Sequence, residues 1–243
     1  MEKTTLNSEQ GLSEQGLFIK PIGRLSFLKY TGAAAVGTGF LLVGCRKIID
    51  DITNHPGNSK SVNLGSGDIG ILNYAYALEQ LEAAFYIQII ATPYSGMTME
   101  ETQILSDLRY HEIAHRDFLK AALGSSAIKG LTVNFSSIDF ASRTSVLNTA
   151  KAFEDLGVSA YNGAGKLLKD ANYLLIAGKI VSVEARHAAA IRDLLNPNSA
   201  DFAGDDVVAV ASGLDGAKTP AEVLAIAGTY IKDDIDASHL PKS

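Results

Sequence analysis

A repeated Glu-x-x-His motif limits the folds that are open to this sequence. The motif occurs twice, and each copy follows a glutamate that has a tyrosine seven residues later. In chain order the residues of this pattern are Glu79, Tyr86, Glu112, His115, Glu154, Tyr161, Glu184 and His187. Random placement of the 5 histidines would give only about 0.2 such pairs in this chain. A contact on a helix surface explains one pair adequately but accounts poorly for both.

The spacing within the motif indicates helices that surround a metal site. Positions i and i+3 of a helix lie on one face, so the Glu and His of each pair can point at one ion. Two further helices that each contribute a glutamate complete the ligand set of a four-helix bundle with two metal ions in its core. The predicted ligands are Glu79, Glu112, His115, Glu154, Glu184 and His187.

The pattern also predicts a role for each carboxylate. We expect Glu112 and Glu184 to bridge the ions, and Glu79 and Glu154 to bind one ion each, with His115 or His187. These six groups offset the charge of two divalent ions, whereas buried glutamates without cations would be costly. Oxygen and nitrogen donors suit iron or manganese. A two-metal centre with open positions can bind dioxygen or peroxide.

Three neighbours of the predicted ligands are given secondary places. Glu82 lies three residues after Glu79 and is the alternative ligand from that helix. We favour Glu79, because only Glu79 repeats the spacing to a tyrosine that is seen at Glu154. Tyr86 and Tyr161 are expected to form hydrogen bonds with the carboxylates that bind a single ion.

Other titratable residues nearby are expected to lie outside the site. His111 should face about 100° away from Glu112 on its helix, and it is predicted to be a packing or surface histidine. Arg109 and Arg186 are either partners of the carboxylates or, as we favour, solvated.

Apolar periodicity and capping signals predict four long helices and a short fifth helix. The predicted ranges are about 68–90, 98–123, 143–169, 170–196 and 219–231. Residues 125–141 lack helical periodicity and can span roughly 55 Å when extended, which exceeds the length of a long helix at about 36 Å. The predicted fold is therefore all-α: a ferritin-like four-helix bundle with a long crossover between its second and third helices and a short C-terminal helix.

The N-terminal region is predicted to direct export. Residues 30–44 are uncharged and follow basic residues, as in the apolar part of a signal peptide. The stretch leads into Cys45 through a segment that resembles a bacterial lipobox, so Cys45 is the expected lipidation site. Residues 24–29 resemble a twin-arginine signal in which Leu25 replaces the second arginine, which leaves Tat and Sec export both open. The alternative is a buried helix with an incidental cysteine.

The predicted domains are a signal peptide at 1–44, a lipidated cysteine with a flexible tether at 45–67, the bundle at 68–196 and a C-terminal extension at 197–243. The mature protein is accordingly expected in the bacterial cell envelope, attached to the membrane through lipid. The net charge of −6, without a basic stripe, argues against nucleic acid as a partner. Homo-oligomerisation is left open.

Four segments resemble the ferritin-like domain of the desiccation-related protein family, and the resemblance covers residues 68–196. The segments are LNYAYALEQLEAAFY at 72–86, HEIAHRDFL at 111–119, FEDLGVSAY at 153–161 and VEARH at 183–187. In the superfamily that this resemblance suggests, ferritins oxidise and store iron, rubrerythrins reduce peroxide and manganese catalases dismutate it. The resemblance therefore implies a fold and a metal site more firmly than a reaction.

Three functions are compatible with these features. The first is an exported two-metal oxidoreductase, ferroxidase-like or catalase-like, that acts on dioxygen or peroxide under stress. The second is a desiccation-related or stress-related protein that binds metal or supports structure without turnover. In the third, the bundle binds no metal, and its glutamates and histidines form buried ion pairs.

Overall fold

The computed structural model describes residues 61–242, and a bundle of four long helices forms their core. The bundle helices are α1 (Gly67–Ala91), α2 (Met99–Leu123), α3 (Arg143–Gly165) and α4 (Ala171–Leu195). A short helix, α5 (Pro220–Ala227), lies in the C-terminal extension. Single 3-10 turns occur at Gly124–Ser126, Asp201–Ala203 and Gly228–Tyr230.

Local sequence determines where these helices begin and end. Thr98 and Glu101 form a reciprocal capping box at the start of α2, and Ser142 and Asp170 cap α3 and α4. The structure corrects the predicted end of the third helix, because α3 stops at Gly165 and not near residue 169. Glycines near this end lower helix stability, and the chain continues in tight turns.

Contacts between helix ends show how the bundle is connected. At one end, Arg143 at the start of α3 donates a hydrogen bond of 2.5 Å to Glu101 at the start of α2. At the other end, Asp68 at the start of α1 accepts from the backbone N–H groups of Lys169 and Asp170, which precede α4. The second and third helices therefore begin at the same end, and the crossover runs the length of the bundle. The predicted all-α ferritin-like architecture is confirmed.

Helix α1 is buried around most of its circumference and not along one stripe only. The crossover and the segment before α1 cover its outer side. The buried Asn73 side chain donates to the carbonyls of Leu64 (3.0 Å) and Ser126 (2.9 Å) and accepts from the Ile128 N–H (3.0 Å). One amide side chain thus fastens three chain segments together, because each of its bonds satisfies a backbone group.

Four two-residue strands complete the described fold. They are β1 (Val62–Asn63), β2 (Val208–Ala209), β3 (Leu214–Asp215) and β4 (Ile235–Asp236). Strand β1 pairs in parallel with β4, and β2 pairs antiparallel with β3. Val62 and Leu64, at the end of the predicted tether, are therefore part of the folded unit.

The other N-terminal predictions lie outside the described residues. These are the signal peptide at 1–44, the lipidation site Cys45 and the tether up to residue 60. Among the described residues, no helix combines the length and the apolar character that crossing a membrane requires.

The C-terminal extension is held to the bundle by Arg192, to which the sequence analysis assigned no role. The Arg192 guanidinium is buried and forms two hydrogen bonds with Asp155 of α3, at 2.9 and 2.8 Å. It forms two more with Asp206 of the extension, at 3.0 and 2.8 Å. Paired geometry of this kind satisfies a buried cation with charge-assisted bonds.

The extension also crosses α3 where only glycine fits. A Cβ atom on Gly163 would lie 1.8 Å from the carbonyl oxygen of Lys218. The crossing is fixed by a hydrogen bond from the Lys218 N–H to the Ser159 carbonyl (2.9 Å). The Asn162 side chain adds another to the Gly216 carbonyl (3.0 Å).

We predict that Gly163→Ala lowers the free energy of unfolding by about 1–3 kcal/mol, because backbone must move to relieve the overlap. The control is Gly178→Ala in the exposed middle of α4, where a Cβ atom would meet nothing within 4 Å. That change should raise the free energy of unfolding by about 0.4–1 kcal/mol, because alanine has less conformational freedom than glycine in the unfolded chain. Urea unfolding of the two variants measures both effects, and shifts of the same sign would contradict the crossing.

Candidate metal centre

Six buried or half-buried side chains meet in the middle of the bundle. This Glu/His cluster consists of Glu79 of α1, Glu112 and His115 of α2, Glu154 of α3, and Glu184 and His187 of α4. All four glutamates are fully buried. The structure thus brings together every residue that the sequence pattern predicted to bind metal.

The candidate donor atoms form two overlapping groups, and within each group they lie within 4.8 Å of one another. The first group is Glu79, Glu112, His115 and Glu184. The second group is Glu112, Glu154, Glu184 and His187. Two carboxylates, one from α2 and one from α4, therefore belong to both groups.

The two shared carboxylates each direct one oxygen toward each histidine. Glu184 Oε1 lies 2.8 Å from His115 Nδ1, and its Oε2 lies 3.4 Å from His187 Nδ1. Glu112 Oε1 lies 2.8 Å from His187 Nδ1, and its Oε2 lies 3.7 Å from His115 Nδ1. This arrangement presents one oxygen of each shared carboxylate to each of two candidate cation positions.

The other two carboxylates each divide their oxygens between a histidine and a tyrosine. Glu79 Oε1 accepts a hydrogen bond from Tyr161 (2.5 Å), and Glu154 Oε1 accepts one from Tyr86. Their Oε2 atoms lie 3.5 and 3.4 Å from the histidine Nδ1 of the same group. Each bond runs between α1 of the first helix pair, α1/α2, and α3 of the second pair, α3/α4. These bonds therefore fix the orientation of the carboxylates and join the two halves of the bundle.

Among residues 61–242, the donor atoms that face these two positions have no hydrogen-bond partner. They are both Nδ1 atoms, Oε2 of Glu79 and Glu154, and both oxygens of Glu112 and Glu184. Buried polar atoms normally have partners. Here the atoms approach to 2.8–3.7 Å without the angles of hydrogen bonds. Lone pairs that converge in this way suit coordination of cations, and this donor set of oxygen and nitrogen fits two of them.

Burial and mutual repulsion shift the pKa values of the carboxylates. Burial, with the charge of Glu184, holds the pKa of Glu79 well above its usual value. Burial raises the pKa of Glu154 to about 8. Burial also opposes ionisation of Glu112, but the two adjacent histidines outweigh it and lower the pKa of Glu112 to about 2. The cluster without cations therefore retains protons at neutral pH.

For both cluster histidines, the effect of neighbouring charges on the pKa exceeds the effect of burial. Burial alone would lower the pKa values of His115 and His187, but the surrounding carboxylates raise both to about 12. Cation binding at Nδ1 must displace these protons.

Glu82 is a fifth buried carboxylate, and it contributes no atom to either donor group. Burial, followed by the charges of Glu112 and Glu184, raises its pKa well above the usual value. A Cβ atom on Gly157 of α3 would lie 3.1 Å from Glu82 Oε1, so the glycine leaves room for this side chain.

A groove between α2 and α4 leads from the surface to the Glu/His cluster. Its volume is about 410 Å³, and its walls include both cluster histidines as well as Asp107, Leu108, His111 and Arg186. Small polar molecules and ions can therefore reach the imidazoles without passing through the apolar core.

His111 is exposed, in agreement with its prediction as a packing or surface histidine, but it also contacts the Glu/His cluster, which the sequence did not predict. Its Nδ1 lies 2.9 Å from His187 Nε2. Rotation along the helix places His111 away from Glu112, but the neighbouring helix α4 brings His187 to it. Burial and the imidazoles of His187 and His115 lower the pKa of His111.

The two arginines contact residues outside the Glu/His cluster. The Arg109 guanidinium lies 4.5 Å from the centre of the Tyr110 ring, and Arg186 contacts Ser182. Among the described residues, neither arginine forms an ion pair with a cluster carboxylate.

These pKa values predict how the stability of the metal-free protein depends on pH. Glu79, Glu82, Glu154 and both histidines have folded-state values above their unfolded ones. Such groups stabilise the fold below the unfolded pKa, and that contribution is lost as pH rises toward the folded pKa. Glu112 has a lowered pKa, so it stabilises the fold as pH rises, but this gain in stability is complete by about pH 5.

We therefore expect the melting temperature of chelator-treated protein to fall by several degrees between about pH 6 and about pH 8.5. Excess divalent metal should abolish this fall, because the cation takes the place of the protons. Thermal unfolding followed by circular dichroism measures both. A melting temperature that stays level or rises in the chelator-treated protein would contradict the assigned charges.

Comparison with known proteins agrees with this geometry. The ferritin-like domain family matches residues 67–197, which is more than half of the chain and contains the whole Glu/His cluster. No curated protein sequence matches the chain. The match over all four bundle helices shows that this chain belongs to the ferritin-like domain family.

Proposed function

We propose that the chain binds two iron or manganese ions in the Glu/His cluster and uses them to oxidise metal or to react with dioxygen or peroxide. The observation that carries the proposal is the placement of Glu112 and Glu184, each with one oxygen directed to each histidine. The convergence of unpartnered oxygen and nitrogen atoms on two positions supports cation binding over ion pairs alone.

Each side chain then has a definite part in binding. Glu112 and Glu184 would bridge the two ions, and Glu79 and Glu154 would each hold one ion through Oε2. The histidines would bind through Nδ1, which faces the carboxylates. Tyr86 and Tyr161 donate hydrogen bonds to Oε1 of Glu154 and Glu79, respectively, so that Oε2 of each glutamate remains free to bind an ion.

Bound iron or manganese would supply electron transfer to or from dioxygen or peroxide. The chain provides the surroundings for that chemistry. The groove between α2 and α4 admits small polar reactants on the histidine side. Helix α1 and its apolar neighbours exclude water from the opposite side. Burial raises the pKa of Glu82 well above its usual value, and so favours the form of this carboxylate that carries a proton.

The open groove favours turnover over a purely structural metal site. A structural site is normally closed to solvent, whereas a catalytic one retains access for a reactant. The function of a non-catalytic stress or desiccation-related protein is therefore the second candidate, which metal binding without turnover would support.

We predict that the purified protein binds about two iron or manganese ions per chain after reconstitution. The double variant Glu112→Ala/Glu184→Ala should bind none tightly, because it loses the oxygens that both positions share. Glu100→Ala, at an exposed site on the same helix, is the control and should bind normally. Metal analysis after gel filtration measures the stoichiometry. A wild-type protein that stays metal-free would support buried ion pairs in its place.

The metal-loaded protein also allows the two metal-dependent functions to be separated. Oxygen-electrode assays should show consumption of dioxygen with ferrous iron, or release of dioxygen from peroxide with manganese. Activity should be absent in the Glu112→Ala/Glu184→Ala variant. Full metal loading without either reaction would favour the non-catalytic function.

We also propose that the protein is exported and anchored in the bacterial envelope through lipid on Cys45. The support is the sequence of residues 1–45 alone. We predict that Cys45→Ser in the full chain removes incorporation of labelled fatty acid and shifts the protein from the membrane fraction to the soluble fraction. Unchanged membrane association would contradict the lipid anchor.

A further inference from the structure

We propose that His111 is a positioning residue for His187 and makes the two cation positions unequal in affinity. This inference rests on the proposed function, since it assumes that the Glu/His cluster binds two ions. It concerns a residue outside the predicted ligand set, and it assigns different properties to sites that the repeat would make alike.

The contact between the two imidazoles has the geometry of a hydrogen bond. His111 Nδ1 and His187 Nε2 are 2.9 Å apart. The rings are parallel to within 5°, and their centroids are 5.1 Å apart, so the rings meet at their nitrogen edges. His187 is buried whereas His111 is exposed, and thus the bond links the interior of the cluster to the surface.

The direction of this hydrogen bond follows from the role of His187. Its Nδ1 faces Glu112 and Glu184 and must be free of a proton to bind a cation. The proton of the neutral ring then lies on Nε2, which donates to His111 Nδ1. Such an outer acceptor fixes the tautomer and the orientation of a ligand imidazole and raises its basicity.

His115 has no equivalent support within the described part of the chain. His111 immediately precedes the first motif glutamate, and the corresponding residue before the second is Val183, whose side chain cannot accept a hydrogen bond. Among the described residues, no protein group accepts from His115 Nε2. The His115 side chain is also more exposed, at 14% against 4% for His187.

The two positions should therefore fill in sequence. The position formed by Glu154 and His187 has an oriented imidazole and should bind first. The position formed by Glu79 and His115 must order its imidazole on binding and should fill second.

The test compares His111→Val, which copies the residue found at position 183, with His111→Asn. The asparagine side chain retains an acceptor oxygen near the place of Nδ1. Mn²⁺ is titrated into the full chain, treated with chelator and held in mild detergent, and binding is followed by calorimetry. Position 111 is exposed, so neither change should disturb folding, and circular dichroism verifies this.

We expect the wild-type protein to bind two ions in two steps. His111→Val should weaken the tighter step by about 10- to 100-fold and leave the weaker step unchanged. His111→Asn should retain most of the wild-type affinity.

A His111→Val isotherm equal to that of wild type would overturn the inference while leaving the proposed function intact. Equal weakening of both steps, or equal weakening by valine and asparagine, would also overturn it. A wild-type protein that binds no Mn²⁺ or Fe²⁺ would instead overturn the proposed function itself.

Discussion

The burial of five carboxylates in one helical bundle is the constraint on which this structure depends. Glu79, Glu82, Glu112, Glu154 and Glu184 are buried, and only two histidines accompany them. Even with both imidazoles charged, negative charge remains in a region of low dielectric, where an uncompensated ion is costly. Protons can reduce that charge, as the raised pKa values of three of these glutamates indicate. Two divalent cations would balance the four cluster glutamates without protons.

The bundle is built from two similar helix pairs, but the site departs from that symmetry at two places. Position 111 is histidine in one half and Val183 in the other, and Glu82 in one half corresponds to Gly157 in the other. The glycine leaves space that the Glu82 carboxylate approaches. One departure, at position 111, lies at the solvent groove, and the other, at Glu82, lies in the interior.

The sequence predicted the cluster well because its ligands follow helical spacing within each helix. The choice of Glu79 for the donor groups followed from a repeated spacing of the same kind. By contrast, the contact of His111 with His187 and the pairing of Arg192 with Asp206 join separate elements, and neither has a local signal. The burial of α1 around most of its circumference has no local signal either, because distant segments cover its outer side.

Anomalous scattering from crystals of the iron- or manganese-reconstituted protein locates each ion among the side chains, and so it tests the proposal that the Glu/His cluster holds two of them. We expect two peaks about 3.5–4 Å apart. Both should lie between Glu112 and Glu184, one beside His115 and the other beside His187. A single peak outside the cluster, or a fully reconstituted protein without a peak between these glutamates, would contradict it.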